Sequence, residues 1–571
     1  MGGRVDEAVS AARPSRRSSL WPTSWAALLA VALLGGALGP GYVLSYDMVW
    51  VPDLALGRDV LGLGSALPRA IPSDAAVAAL DEVLGGALLQ KVVLLATLVA
   101  AGAGFGALVR ERTMAAQLVA VTVGLWNPFV VERLLLGHWP LLIGYAVLPW
   151  LVVTLRDADR ARLPARLPLL LVLGSLSASA GLATALVALT VAGRAGARRT
   201  ALLVAWLVGA NAPWAVAGLA SPAASVSDPA GALVFATGDE GLMPGPLAAL
   251  SFGGVWNAEV VPDSRLGVAG LAATLLLVAA AVAGAVLVAR GERVPRLGAL
   301  TACWCVGWGL ATLSWAAPQA LGWLGENVPA GGLVRDGSRL LGLAVPLVVV
   351  LVAVAVDALV ARLPDRATAG LVGVVLALLP VTLMPDAVWG VGGRLDAVSY
   401  PESYEQARAA VAGAPTGDAV SLPFVSYRAP VWNHGRRVLD PLGRHLGRPT
   451  VVNDVLVVSG RPLAGEDPRS AAVADALGAG TPSERADALR AAGVSVVVVE
   501  EIAGYPAPEV AGETLLDGDL TVVSLGRAEV PDVSTARLAA VLLAWVAWLA
   551  VLVSPLVVLL ARRRERLVTR Q

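Results

Sequence analysis

Three short stretches carry side chains suited to acid–base or phosphate chemistry. "LSYDMVWVPD" places Asp47 and Asp53 six residues apart, where an apolar segment ends. "WNPFVVERLLLGHW" carries Glu132, Arg133 and His138, and "LVRDGSRLLG" carries Arg335, Asp336 and Arg339. A carboxylate held against an attacking oxygen can act as general base, for instance towards a sugar hydroxyl. Guanidinium groups grip phosphate through paired hydrogen bonds, which lysine does less well. Each group also has a plain structural reading. An aspartate closing a helix is common punctuation, Arg335 and Arg339 suit lipid headgroups, and Glu132 with Arg133 suits a local ion pair.

What must position these groups is a membrane domain. Hydrophobic residues make up 57% of the 571, charged residues only 15%, and mean hydropathy is +0.71. Soluble globular chains carry about 25% charged residues. A spanning helix needs about 20 mostly apolar residues. Twelve candidates run near 24–44, 86–108, 113–126, 139–155, 167–180, 182–193, 200–219, 266–289, 297–315, 340–361, 369–389 and 535–561. The fifth and sixth are short enough to be one broken pass or a re-entrant pair. Pro128 is expected to end the helix before it. The first span lacks a convincing small-residue cleavage site and reads as an anchor, not a cleaved leader.

Arginine placement orients the chain, because short cytoplasmic loops retain Lys/Arg. Arg13, Arg16 and Arg17 precede the first span, and every second loop is basic: 110–112, 156–162, 194–199, 290–296, 361–366 and 561–566. Both termini are therefore expected in the cytoplasm, with Asp47 and Asp53 on the extracytoplasmic side. The first outer loop, 45–85, should hold a short amphipathic helix with Ser73 as its N-cap. Residues 390–534 alternate strand and helix patterns: "ESYEQARAAVAG" and "PSERADALRAAG" read as helices, "DAVSLPF", "VSVVVVEE" and "GDLTVVSLG" as strands. The expected organisation is a cytoplasmic tail at 1–23, a multi-span domain at 24–389 and an extracytoplasmic α/β domain at 390–534. A final helix with a basic cytoplasmic tail follows at 535–571.

Several classes are excluded. A formal net charge of +0 argues against a nucleic-acid partner. "GVGG" at 390–393 lacks the GK[ST] of a P-loop, and neither GxSxG nor HExxH occurs. His138, His434 and His445 are too dispersed for a metal cluster, and the last two read as surface or core residues. Cys303 and Cys305 lie in "LTACWCVGWGL" and read as buried thiols. The spans hold few titratable residues, which weakens an ion-coupled path.

The layout resembles the GT-C superfamily of integral-membrane glycosyltransferases. The features shared are an acidic motif after the first span ("SYDMVWVPD"), a long first outer loop with "PSDAAVAALDEV", many spans and an outer C-terminal domain. "NPFVVERLLLGHWPLLIGYAVLPW", "LVRDGSRLLG" and "LRAAGVSVVVVEE" look like segments of actinobacterial arabinofuranosyl- and mannosyltransferase-related envelope proteins. The resemblance implies a lipid bilayer, a polyprenyl-phosphate sugar donor and an envelope glycan or glycolipid acceptor as partners. It implies Asp47 as catalytic acid or base with Asp53 assisting, and Arg335 with Arg339 on the donor phosphate. Glu132, Arg133 and His138 are placed as supporting residues. The sequence departs from the family pattern in having no compact DxD or ExD, so the cofactor is left open, a divalent cation being the candidate. A non-catalytic envelope-assembly scaffold, or a lipid or polysaccharide transporter, are the alternative readings.

Overall fold

The computed structural model describes residues 20–158, 163–193, 196–223, 228–458, 460–502 and 504–568. Arg13, Arg16, Arg17 and parts of the basic loops at 156–162 and 194–199 lie outside these. Ten helical segments among the described residues are long and apolar enough to cross a bilayer: Leu20–Leu38, Gly86–Leu108, Met114–Leu135, Trp139–Arg156, Ala197–Leu219, Val268–Ala289, Leu297–Ala316, Gly337–Val360, Arg366–Leu383 and Thr535–Leu556.

The count of twelve is not met, because the stretch 167–193 forms two shorter helices, Leu167–Leu173 and Ala178–Ala192. The break has a local cause. Ser177 is extended and its hydroxyl accepts the Ala180 N–H, capping the second helix. The Thr184 hydroxyl donates to the Gly174 carbonyl at 2.9 Å, satisfying a group freed by the break.

The first six helices carry or flank the site: α1 (Leu20–Leu34), α2 (Ser73–Leu84), α3 (Gly86–Leu108), α4 (Met114–Leu125), α5 (Pro128–Leu135) and α6 (Trp139–Arg156). α4 and α5 share one span but are separate helices. Pro128 offers no N–H to continue α4, and the Asn127 side chain accepts from Val130 N to start α5. The α2 start differs from expectation. Ser73 is the first helical residue, not the cap, and its hydroxyl donates to Ala70 O at 2.9 Å. A second correction concerns the thiols: Cys303 is buried, whereas Cys305 is exposed on the outside of its helix.

Loops gather at the two ends of the bundle as the arginine alternation requires. At one end Arg110 meets Asp157 at 2.9 Å, and Arg112 meets Glu292 at 3.0 Å and Asp357 at 3.3 Å. At the other end lie the 45–85 loop, the α5–α6 corner, the turn before helix Val345–Val360, and the C-terminal sheet.

That sheet has the order β4-β1-β7-β9-β8, with β1 (Asp418–Leu422), β4 (Thr450–Val451), β7 (Val494–Glu500), β8 (Glu513–Leu516) and β9 (Leu520–Ser524). β1 runs parallel to β4 and β7, and β9 is antiparallel to β7 and β8. One face packs on helix Glu402–Gly413 through Tyr404, Ala407 and Val411, and the other on helices Pro468–Leu477 and Pro482–Ala491. Cover on both faces explains why β1 and β7 are buried at nearly every position, without alternation. Two further short strands, β2 (Tyr427–Arg428) and β3 (Val438–Leu439), pair antiparallel beside the sheet.

Candidate functional site

The 45–85 loop joins the C-terminal domain as a strand would. Tyr46 N donates to Arg437 O at 2.8 Å, and Leu439 N donates to Tyr46 O at 2.8 Å, so Tyr46 lies alongside β3. From the other side, Asp47 N donates to Leu136 O at the end of α5. Gly137 makes the approach possible: a Cβ there would sit 2.1 Å from Met48 N. Tyr46 itself has φ +47°, a left-handed conformation that an L-residue with a side chain adopts at a cost of about 1–3 kcal/mol. It directly precedes the carboxylate that the site is built around.

Asp47 sits where these segments meet, its side chain 44% exposed. One carboxylate oxygen accepts from the Tyr427 hydroxyl on β2, and the other lies 3.3 Å from His138 Nε2. His138 Nδ1 is 3.2 Å from Arg133 Nη1. A guanidinium only donates and an ionised carboxylate only accepts, so His138 carries its proton on Nε2 and passes a hydrogen bond to Asp47. Arg133 continues the chain: Nη1 to Asp336 Oδ2 at 3.3 Å and Nη2 to Ser338 Oγ at 2.5 Å. Asp336 also accepts from Ser338 Oγ at 2.6 Å and Arg339 Nε at 3.1 Å.

The electrostatics follow from this wiring. Burial works to raise the Asp47 carboxyl, but the hydrogen bond from His138 and, in acid, its charge, then the Tyr427 hydrogen bond and the charge of Arg339, outweigh it and hold it at about 2. Burial, reinforced by Arg339 and Arg133 and opposed by Asp47, lowers His138. The ring is therefore neutral at pH 7, and the positive charge acting on Asp47 there is that of Arg339. Asp336 is likewise held at about 2, burial being overcome by Arg133, Arg339 and the Ser338 hydroxyl. Burial first, then repulsion by Asp47, pushes the Tyr427 phenol well up, so it remains a hydrogen-bond donor.

Beside Asp47 runs an arc of guanidinium groups. Arg339 is half-exposed. Arg335 stacks over the Phe235 ring at 5.0 Å and stays charged, its pKa drawn down by burial only to about 10. Arg69, from the first outer loop, acts electrostatically on both Arg335 and Tyr427. The Glu466 carboxylate stands between two of them, 3.7 Å from Arg335 Nη1 and 3.7 Å from Arg69 Nη2.

Of the residues singled out in the sequence, Asp47, His138, Arg133, Asp336 and Arg339 form one connected network. Arg335 lies at its edge. Asp53 does not join it but pairs with Arg408 on helix Glu402–Gly413. The expected Glu132–Arg133 ion pair is absent, because adjacent residues on α5 point to different neighbours: Arg133 to Asp336, Glu132 to Glu240 and Arg265. Tyr427, Arg69 and Glu466 were not anticipated. Tyr427 lies in a polar, aromatic stretch, "SYRAPVWNHGRR", but nothing local marks Arg69 or Glu466, since partners hundreds of residues apart leave no spacing pattern.

The donor set does not suit a divalent cation. Both Asp47 oxygens and both Asp336 oxygens are engaged by donors, and the surroundings are arginine-rich. Among the described residues no group of three or more His, Cys, Asp or Glu has metal-ligand geometry. His434 is exposed, and His445 is buried against the Tyr400 and Tyr404 rings.

Two solved mycobacterial structures share this architecture. The cryo-EM structure of arabinofuranosyltransferase AftD matches with TM-score 0.55 and 19% identity, covering 90% of this chain and 40% of that one. A mutant form of the same protein matches with TM-score 0.51 and 18% identity, covering 91% and 42%. The chain thus spans about two fifths of the length of these structures and shares their polytopic helical architecture over nine tenths of its own length. No protein-family model and no curated protein matches it.

Proposed function

We propose that this chain is a membrane glycosyltransferase that moves a sugar from a polyprenyl-phosphate donor to a hydroxyl of an envelope glycan or glycolipid. The observation that carries the reading is Asp47: a carboxylate open to water, gripped by Tyr427 and His138 and within the field of Arg339. Likeness in fold to a solved arabinofuranosyltransferase supports the reading.

In the proposed step the acceptor hydroxyl oxygen attacks the anomeric carbon, and its proton passes to Asp47. The anomeric carbon–oxygen bond to phosphate breaks, and polyprenyl phosphate leaves with the bonding pair, its charge met by Arg335 and Arg339. A carboxyl held at about 2 is a weak base. Donor phosphate beside Arg339 offsets the field that depresses it, so Asp47 gains basicity once the donor is seated.

On this reading the site faces the extracytoplasmic side of the cell membrane, both termini are cytoplasmic, and residues 390–534 form an outer domain between the span at 366–383 and the last helix. In a background lacking Cys303 and Cys305, a cysteine at Val431, 92% exposed, should react with an impermeant thiol reagent in intact cells. One at Ala197 should not, and the reverse pattern overturns the orientation.

Asp47→Asn is the direct test of the chemistry. Loss of a positioned base costs roughly 10²–10⁴ in rate, with expression and insertion unchanged. A second reading rests on the same hydrogen bonds: Asp47 could serve only to clasp β2 to the first loop, as in a scaffold. Full transfer by Asp47→Asn, with a looser C-terminal domain, would select it.

A further inference from the structure

At the end of the bundle opposite Asp47, a cavity of about 200 Å³ lies between the close of α3, the close of α6, the 290–296 loop and helices Leu297–Ala316 and Val345–Val360. Its apolar wall includes Leu108, Leu300 and Val350. Its polar wall is made of three arginines, Arg112, Arg156 and Arg293, and one carboxylate, Glu111.

The three arginines are held to different degrees. Arg112 is fully committed: it meets Glu292 at 3.0 Å, Asp357 at 3.3 Å and the Arg293 carbonyl at 3.2 Å. Arg156, 8% exposed, turns Nε to Asp157 at 3.2 Å and Nη1 to the Leu108 carbonyl at 2.7 Å. Its buried Nη2 makes no hydrogen bond among the described residues, and the mostly exposed Glu111 stands off at 3.9 Å. Arg293 is exposed, and its guanidinium has no hydrogen bond or ion pair among the described residues. A buried donor on a charged group is costly to leave unpaired. Two guanidinium groups with a free edge on one cavity therefore call for an anion.

We propose that this cavity binds the phosphate of an anionic phospholipid from the leaflet opposite Asp47, gripped by Arg156 and Arg293. The planar fork of a guanidinium matches phosphate oxygens, and basic pockets between spans hold lipid headgroups in this way. The apolar wall favours a lipid over a free phosphate. Val350 lies well inside helix Val345–Val360, so the cavity runs from the arginines to side chains at acyl-chain depth. Its volume is below the roughly 300–1,000 Å³ of a pocket that encloses a whole small molecule, which fits a headgroup whose tails stay in the bilayer. A lipid seated there ties α3 and α6 to the 290–296 loop. Neither the site nor its test depends on the transfer proposed for Asp47.

The test uses the full-length protein in neutral detergent, with thermal shift as readout and dioctanoyl phosphatidylglycerol as probe. Dioctanoyl phosphatidylcholine and inorganic phosphate are the comparison arms. The anionic lipid should raise the melting temperature with a saturable midpoint, and the other two should not at the same concentrations. Arg293→Gln should move that midpoint roughly 5-fold towards weaker binding, the worth of one arginine beside an anionic lipid. Arg156→Gln should move it further in the same direction. Glu111→Gln, which removes the carboxylate facing Arg156 Nη2, should tighten binding. Should Arg156→Gln not fold, the opposite shifts of Arg293→Gln and Glu111→Gln, both at exposed positions, decide the matter. A midpoint unchanged in both overturns the proposal. Equal stabilisation by inorganic phosphate overturns the lipid as occupant, and equal stabilisation by phosphatidylcholine overturns recognition of the anionic charge.

Discussion

Two buried arginine networks flank α5, fed by neighbouring residues. Arg133, 1% exposed, links through His138 to Asp47, which reaches water. Glu132 faces the opposite way, towards Glu240, which is fully buried and held by Arg265 at 2.6 Å, with Ser251 and Thr274 completing the guanidinium's contacts. Both networks satisfy a buried cation. One opens at its end and the other is sealed, and this decides what each can do. A sealed ion pair fixes the packing of elements, whereas an open one ends in a group that a substrate can touch.

Substitutions should separate the two. The largest effect on chemistry is expected at the open end: Asp47→Asn lowers transfer roughly 10²–10⁴-fold, while the protein stays folded in detergent with a modestly lower melting temperature. Arg265→Met should do the opposite. It leaves Glu240 buried without its guanidinium and destabilises by about 3–5 kcal/mol, read as lost folded protein in size-exclusion chromatography. Equal loss of fold in both variants would erase the distinction between the networks.

Acid should probe the open network through its two depressed carboxyls. Asp47 and Asp336 are held at about 2, below the roughly 3.9 of an unfolded aspartate. Groups depressed in the folded state add stability that is whole above the unfolded value and is lost as pH falls through the folded one. Melting temperature should therefore fall between about pH 4 and pH 2, and Asp336→Asn should flatten that slope. A slope unchanged in Asp336→Asn would mean other carboxylates carry it.

Smaller effects sharpen the picture. Tyr427→Phe removes one hydrogen bond to a charged acceptor, worth about 1.5–3 kcal/mol; the drop should fall in kcat with donor KM unchanged. Arg408→Gln, which breaks the part-buried pair with Asp53, should cost about 1 kcal/mol in stability and leave KM and kcat alone. A comparable kcat drop in Arg408→Gln would show that Tyr427 acts only by docking the domain.

Local signals were legible and long-range ones were not. The apolar runs announced the spans because lipid demands an uninterrupted length of internally bonded helix. The 167–193 stretch showed its weakness in length, but the break itself depended on Ser177 and Thr184 finding backbone partners. β7 was readable as a buried strand from "VSVVVVEE", whereas β2 and β3, two residues each, are held by a partner strand and by Tyr46. The Glu132–Arg133 pairing failed as an expectation because residues i and i+1 on a helix point apart.

The sequence by itself determined a membrane protein with alternating loops, a C-terminal α/β region and acids and arginines at one end, because hydropathy, charge and period are local properties of the chain. Only the tertiary structure decided which of those charges meet. Asp47 was joined to Tyr427, 380 residues away, and Asp53 to Arg408, 355 residues away. Charges so far apart in sequence are brought together by helix packing and strand pairing, and whether a carboxylate ends in water or in a sealed ion pair depends on what packs over it.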